Sequence, residues 1–558
     1  MRFAVALLLL ALAPAAANAA DDLDRALQDI VAGRQSGNAL AGAVIAVKVG
    51  DKIVYAGAAG CAAFEETEVE EQRCRRKLTT DTKVRVASIS KVATAMTALA
   101  LEKEGLLDLD ADISGALGWT LRNPAFPAAP ITARQLMTHL SSLRDPEEYW
   151  VAAPGDFRAL IEKAKPFAAA APGGSRAPGA YFTYANINYG VLATALERAS
   201  GERFDRLVAS RVLAPLGIDA GFNWSGVTDK ARREGATLYR TDKGKWIAQT
   251  DGDEILGGQD PLFLAQEGLD GPAYLATYAP GSNATLFSPQ GGLRASVFDL
   301  LKILAARGEI EIVWRLDPQA ENGDPAGGFY PAAGIGSLAV KGEARIWPGA
   351  ELYGHSGEAY GLMAGLWRVP ADPAAGRAQE VSFAYAITGA SSPPKRGAHK
   401  AFFAVEEPLV RLAMAAAAEA GIAVDDEPRP FDQTRKAMED VDAALAAAKA
   451  AEKNVLLVLG GNWCHDSRSF AMKLQNPATA PIVEAGYKIV YVDVGRRNRN
   501  LDVPKRFGVH SLIGTPTILV LSAEGALLNA DTVHDWRNAA DRSISETMAY
   551  LDRWADAE

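Results

Sequence analysis

Soft, metal-binding side chains are scarce in this sequence. Its 558 residues hold three cysteines and six histidines, and the histidines are dispersed, with no His-x-His pair and no His-Glu-x-x-His. That spacing argues against a zinc hydrolase, and no metal or organic cofactor is expected. Basic blocks are missing too. The formal net charge is -10, which argues against nucleic acid as a partner. After the first residues no apolar stretch reaches the length of a membrane span. The start itself has a different layout: Met1-Arg2, an apolar run from Phe3 to Leu12, and the small-residue site Ala17-Asn18-Ala19. This is the pattern of a secretory signal peptide, and no cysteine beside the cleavage point could carry a lipid. Residues 1–20 are therefore expected to be a cleaved leader, and the mature protein to be soluble and periplasmic or secreted.

In an oxidising compartment Cys61 and Cys74 could close a loop around the very polar stretch from Glu65 to Arg76, leaving Cys464 alone. At 49% hydrophobic residues the chain is globular and too long for one ordinary core, so two or more domains are expected. The acidic, proline-punctuated stretch Asp425-Asp426-Glu427-Pro428-Arg429-Pro430 reads as a linker at 425–430.

What is present centres on Ser88-Ile89-Ser90-Lys91. A short β-branched run gives way there to a small-residue helical pattern that stops near Gly105, placing Ser88 at a helix N-terminus. Residues i and i+3 share a helix face, so the Lys91 amine can meet the Ser88 hydroxyl. A serine is a poor nucleophile until a base takes its proton, and an amine can serve if burial lowers its pKa. Ser392-Pro393-Pro394-Lys395 repeats the spacing, but its prolines forbid the helix.

Before that stretch, Leu23 to Val31 has helical spacing, and the runs Gly42 to Val49 and Lys52 to Ala58 read as a hairpin. After it, a capped helix is expected near Ile131. Tyr184 and Asn186 precede another helix ending at Gly201. Tyr184 could pass a proton and Asn186 could orient a carbonyl or Lys91; the alternative is a packed tyrosine and a capping asparagine. Ser288-Pro289-Gln290-Gly291-Gly292-Leu293 is a glycine-marked turn before a helix over Val297 to Ala306. His355-Ser356-Gly357-Glu358 combines small residues with a histidine that is either structural or catalytic.

Taken in order, Ser88 to Lys91, Leu136 to Leu143, Tyr184 to Gly190, Ser288 to Leu293 and Gly354 to Gly357 resemble the serine beta-lactamase and penicillin-binding-protein superfamily, in its class C-like branch. The resemblance spans roughly residues 24 to 420. It implies an α+β domain, here 21–424, with an antiparallel sheet flanked by helices and a helical insertion. It also implies Ser88 as the acylated nucleophile, Lys91 as its base, Tyr184 as proton shuttle and Asn186 as the holder of the network. The N–H groups of Ser88 and Glu358 would form the oxyanion hole, beside Gly357. His355-Ser356-Gly357 stands where beta-lactamases of this branch carry Lys-Thr-Gly. A histidine titrates near neutrality, so a fixed cation for a beta-lactam carboxylate is not assured. An ester, small amide or D-amino-acid peptide is the expected substrate ahead of a beta-lactam. Ser142 replaces a usual glycine, and Glu358 would disfavour anionic substrates if it points inward. Specificity is assigned to the region Trp224 to Ala279, whose Trp224, Tyr239, Trp246, Phe263 and Tyr274 either line a pocket or pack.

Residues 431–558 alternate helix and strand, with an alanine-rich helix over Phe431 to Lys453 and Cys464 at the start of another. Trp463-Cys464-His465-Asp466-Ser467 and Thr515-Pro516 resemble the α/β thioredoxin superfamily, with Ser467 in place of the resolving cysteine. A dithiol cycle needs two thiols. Three readings stay open: monothiol exchange at Cys464, a docking module that kept its fold, and a partner for a thiol supplied elsewhere. The rival to a hydrolase is a thiol-disulfide or binding protein whose first domain only holds ligand.

Overall fold

The computed structural model describes residues 13–65, 69, 73–169, 176–250, 268–317, 319–324, 330–343, 346–373, 377–422, 424, 428, 430–476 and 478–555. The chain divides into two compact units, Met1–Asp425 and Asp426–Glu558, and each is taken by itself. Most of the expected leader and of the 425–430 linker lies outside the described residues, as does Phe263.

In chain order the strands of the first unit are β1 (Gly42–Val49), β2 (Lys52–Phe64), β3 (Cys74–Lys77), β4 (Val84–Arg85), β5 (Gly221–Phe222), β6 (Leu238–Asp242), β7 (Lys245–Gln249) and β8 (Leu293–Ala295), then β9 (Ile312–Arg315), β10 (Ala332–Gly334), β11 (Ser337–Glu343), β12 (Ile346–Ala359), β13 (Leu362–Val369) and β14 (Val381–Ile387). Nine of them form an antiparallel sheet in the order β3-β2-β1-β14-β13-β12-β11-β10-β9. The β1–β2 hairpin turns at Gly50 and Asp51 as the sequence suggests. Its second strand runs on to Phe64 because it also pairs with β3, Phe64 lying opposite Cys74. Cys61 and Cys74 are joined by a disulfide across this pair.

Alternation along β1 assigns the two faces of the sheet. Ala43, Ile45 and Val47 pack with Leu27 of helix α1 (Ala13–Val31) and with Leu409 of the helix Glu407–Glu419. Val44 and Ala46 face the other core, built on helix α2 (Ser90–Lys103) and the helices Ile187–Ser200 and Val297–Arg307. With helices on both faces, every residue of β13 and β14 is buried, and those strands are apolar apart from Arg368 and Ser382. The helix expected near Ile131 is short. Thr132 and Gln135 close a capping box, and Ala133–Met137 then stops ahead of His139, which takes φ +60°.

In the second unit β15 (Asn454–Gly460) lies between parallel β16 (Tyr487–Asp493) and antiparallel β17 (Thr517–Leu521). The alanine-rich helix begins at Ala437, not at Phe431. Phe431 is fully buried against Tyr491, and its backbone exchanges two hydrogen bonds with the Asn462 side chain. A turn-containing segment that buries Phe431 therefore replaces the first helical turns.

Candidate active site

Three elements carry Ser88 to one place. β4 pairs with β8, and the Val86 N–H donates to the Leu293 carbonyl at 3.0 Å. Ala87 then takes φ +45° and a 3-10 turn, Ala87–Ile89, runs into α2. Ser88 thus sits one turn ahead of the helix proper, partly accessible to solvent. Ser90 fixes the other side, its hydroxyl accepting from the Leu293 N–H at 3.0 Å.

Lys91 is completely buried. Its Nζ lies 3.0 Å from Ser88 Oγ, 2.9 Å from Asn186 Oδ1 and 3.1 Å from the Gln290 carbonyl. The Tyr184 and Tyr189 rings lie 4.9 and 5.3 Å from the amine. Burial lowers Lys91 from 10.5 to about 7, against the pull of the Asp145 carboxylate, which raises it. Two of its three polar neighbours can only accept, whereas the Ser88 hydroxyl can accept or donate. Losing a proton therefore costs Lys91 no hydrogen bond, because the contact with Ser88 reverses.

Asn186 is oriented by a residue with no sequence signal. Asp145 accepts from Asn186 Nδ2 at 3.0 Å and from the Ile187 N–H at 2.8 Å. A carboxylate that can only accept draws the amide nitrogen and so turns Oδ1 toward Lys91. Tyr184 shares a hydrogen bond with Ser88, which lowers its pKa, but burial dominates and pushes the phenol well above the usual tyrosine range. Its ring stacks on His139 at 4.3 Å. His139 Nδ1 accepts from the Ala185 N–H at 3.1 Å and lies 3.2 Å from Asn188 Nδ2. That imidazole is held neutral, first by burial and then by Lys91. Ser142 takes φ +65°, a conformation that glycine adopts without strain.

His355 is not the near-neutral group its ordinary pKa suggests. It is buried, its Nδ1–H donates to the Ser356 carbonyl at 2.6 Å, and burial followed by Lys91 lowers it to about 3. His355 itself is therefore uncharged at neutral pH. Gly357 is required by packing, since a Cβ would lie 2.3 Å from the Val86 carbonyl. This close approach brings β12 against the Ser88 turn. Glu358 is 61% exposed and lies 3.7 Å from Arg396. The prolines keep the Ser392 stretch irregular, and it borders a separate hollow.

A cavity of about 380 Å³ opens on Ser88, Asn186 and Gln290, and its lining also includes Arg85, Arg240 and Tyr360. None of those three was singled out from the sequence. Arg240 does come from the region Trp224 to Ala279, but Tyr239 and Trp246 there are buried packing residues. In the second unit Cys464 is a buried free thiol 3.4 Å from the Thr515 carbonyl, beside the cis Thr515–Pro516 bond. Ser467 is buried, and among the described residues its hydroxyl has no hydrogen-bond partner.

The family model described as Beta-lactamase matches residues 23–405, and one described as Thioredoxin-like matches residues 436–523. "Penicillin-binding protein 4*" of Bacillus subtilis is 27% identical over 180 residues, 32% of this chain and 37% of that protein. The "D-alanyl-D-alanine-carboxypeptidase/endopeptidase AmpH" of Escherichia coli is 29% identical over 147 residues, 25% of this chain and 36% of that protein. The chain thus spans a little over a third of the length of these relatives. Among solved structures, the D-amino acid amidase from Ochrobactrum anthropi SV3 aligns with 71% of this chain and 99% of its own, at 18% identity and a TM-score of 0.46.

Proposed function

The chain belongs to the beta-lactamase family, and from that premise we propose that it is an exported serine hydrolase working through an acyl-Ser88 intermediate. Its hydrolase domain would span 21–424, with the thioredoxin-like domain at 431–558 beyond a linker. The observation that carries the reading is the Lys91 amine, lowered to about 7 and 3.0 Å from Ser88 Oγ. At neutral pH a substantial fraction of Lys91 is an unprotonated base already in contact with its acid.

Neutral Lys91 takes the Ser88 proton as Oγ attacks the substrate carbonyl. The developing oxyanion is received by the N–H groups of Ser88 and Glu358, each worth about 3 to 4 kcal/mol. Tyr184, kept as a neutral phenol, gives its proton to the leaving group and is replenished from Lys91. Water then enters and is deprotonated along the same route, attacks the acyl carbon and returns Ser88. Asn186, oriented by Asp145, holds Lys91 in line throughout.

Neutral His355 supplies no cation beside Ser356 and Gly357. This favours an ester, small amide or D-amino-acid peptide over a beta-lactam, and the D-amino-acid peptide accords with the name of the carboxypeptidase/endopeptidase relative. Among the described residues no helix is long and apolar enough to cross a membrane.

A second reading rests on Cys464. A buried serine at the resolving position leaves one thiol, suited to forming a mixed disulfide but unable to release it alone.

The deciding experiment is turnover of a chromogenic ester by wild type and Ser88→Ala across pH 5 to 9, with Cys464→Ala beside them. Loss in Ser88→Ala and retention in Cys464→Ala are expected. Full turnover by Ser88→Ala would overturn the mechanism.

A further inference from the structure

The cavity that opens on Ser88 is also lined by two arginines gathered on one tyrosine ring. Tyr360 stands at the tip between β12 and β13 with φ +55°. The Arg85 guanidinium lies 4.4 Å from its ring centroid and that of Arg240 5.7 Å. Arg85 comes from β4, three residues before Ser88, and its Nε donates to the Gly291 carbonyl at 3.0 Å. Arg240 comes from β6, so two cations distant in sequence converge on one ring. A guanidinium is attracted to an aromatic face, so the Tyr360 ring fixes where the two charges stand in the cavity lining.

Arg240 is well anchored for a residue on a two-stranded hairpin. The neighbouring Tyr239 is buried, and its hydroxyl accepts from the Phe64 N–H at 3.0 Å. Phe64 stacks on Trp246 at 5.3 Å, in a small core that also contains Cys61 and Cys74. Gly361, at φ +89°, lets the strand tip close on the Tyr239 carbonyl, where a Cβ would lie at 2.0 Å. Glu358 also lines this cavity, and its carboxylate lies 3.7 Å from Arg396.

We propose that Arg85 and Arg240, aligned by Tyr360, form a specificity site for a carboxylate on the acyl part of the substrate. The assignment rests on the acyl-Ser88 reading. Tyr184, the donor to the leaving group, does not line this cavity, whereas Ser88 and Asn186 do, so the space belongs to the acyl side. The aromatic rings of Tyr149 and Trp150 complete it and suit an apolar spacer between the scissile carbonyl and the anion.

The test compares mono-4-nitrophenyl adipate with 4-nitrophenyl hexanoate, which share a six-carbon acyl chain and differ by the terminal carboxylate. Wild type should prefer the adipate ester in kcat/KM by roughly tenfold or more, the scale of one charge-assisted hydrogen bond. The preference should shrink in high salt, vanish in Arg240→Gln and invert in Arg240→Glu. Equal rates for both esters in wild type would overturn the site and leave the hydrolase reading intact. Calorimetric binding of monomethyl adipate and methyl hexanoate to Ser88→Ala separates the other failure. If wild type cleaves neither ester, tighter adipate binding that Arg240→Gln abolishes still establishes the site, and equal binding overturns it.

Discussion

The Asp145 carboxylate receives the Asn186 amide at 3.0 Å and thereby presents the amide oxygen to Lys91 Nζ, 2.9 Å away. Asp145 thus directs the amine through Asn186, and its charge also raises Lys91 against the larger, lowering effect of burial.

Asp145→Asn should therefore shift the acid limb of the kcat/KM profile to lower pH, since removing a negative charge lowers Lys91 further. At pH 8 kcat should also fall, by roughly tenfold, as the amide loses its fixed orientation. A pH-rate profile on any cleaved ester reads both effects. A purely structural role would lower the amplitude and leave the limb in place.

Wild-type activity should rise with pH through about 7, as Lys91 gives up its proton. His355 contributes no limb near neutrality, being already deprotonated above about 3. The measurement is kcat/KM from pH 5 to 9 in wild type and His355→Gln. The limb should stay near 7 in both, and its disappearance in the variant would transfer the titration to His355.

Lys91 carries a stability cost with a definite sign. Its pKa is lowered from 10.5 to about 7 on folding, so between those values the unfolded chain holds a proton that the folded chain lacks. Stability from this group rises with pH across that window, and the full cost stands below it, on the order of a few kcal/mol. Lys91→Met should be inactive yet melt at a higher temperature than wild type at pH 6. The gap should narrow toward pH 10.

Gly357→Ala places a Cβ 2.3 Å from the Val86 carbonyl, two residues ahead of Ser88. Backbone on both sides leaves little room to give, so turnover should fall by on the order of a hundredfold, as expected when reacting groups shift by about 1 Å. Circular dichroism should show the fold retained.

The Cys61–Cys74 disulfide spans a sequence separation of 13, and its loss should cost about 3 kcal/mol on the chain-entropy argument. Because both cysteines pack with Tyr239 beneath the β6–β7 hairpin, Cys61→Ala/Cys74→Ala should reduce the adipate-to-hexanoate preference as well as the melting temperature. Parallel thermal denaturation and ester kinetics measure the two effects.

Elements governed by local rules were legible from the sequence alone. The i, i+3 spacing of Ser88 and Lys91, the alternation and turn of the first hairpin, the capped helix start near Ile131, and the stop of α2 near Gly105 each depend on neighbours a few residues away. The ordered motifs from Ser88 to Gly357 carried the family resemblance. The tertiary structure decided what long-range contacts decide. Phe431 gave up helix for burial. His355 lost its ordinary titration because it is enclosed beside Lys91. Asp145 gained its place by bonding Asn186 and Ile187, and Arg85, Arg240 and Tyr360 gained theirs because segments far apart in the chain meet at one cavity. Charge and hydrogen-bonding capacity are written in each residue, but the desolvation and partners that set a pKa or a specificity exist only after the chain has closed around them.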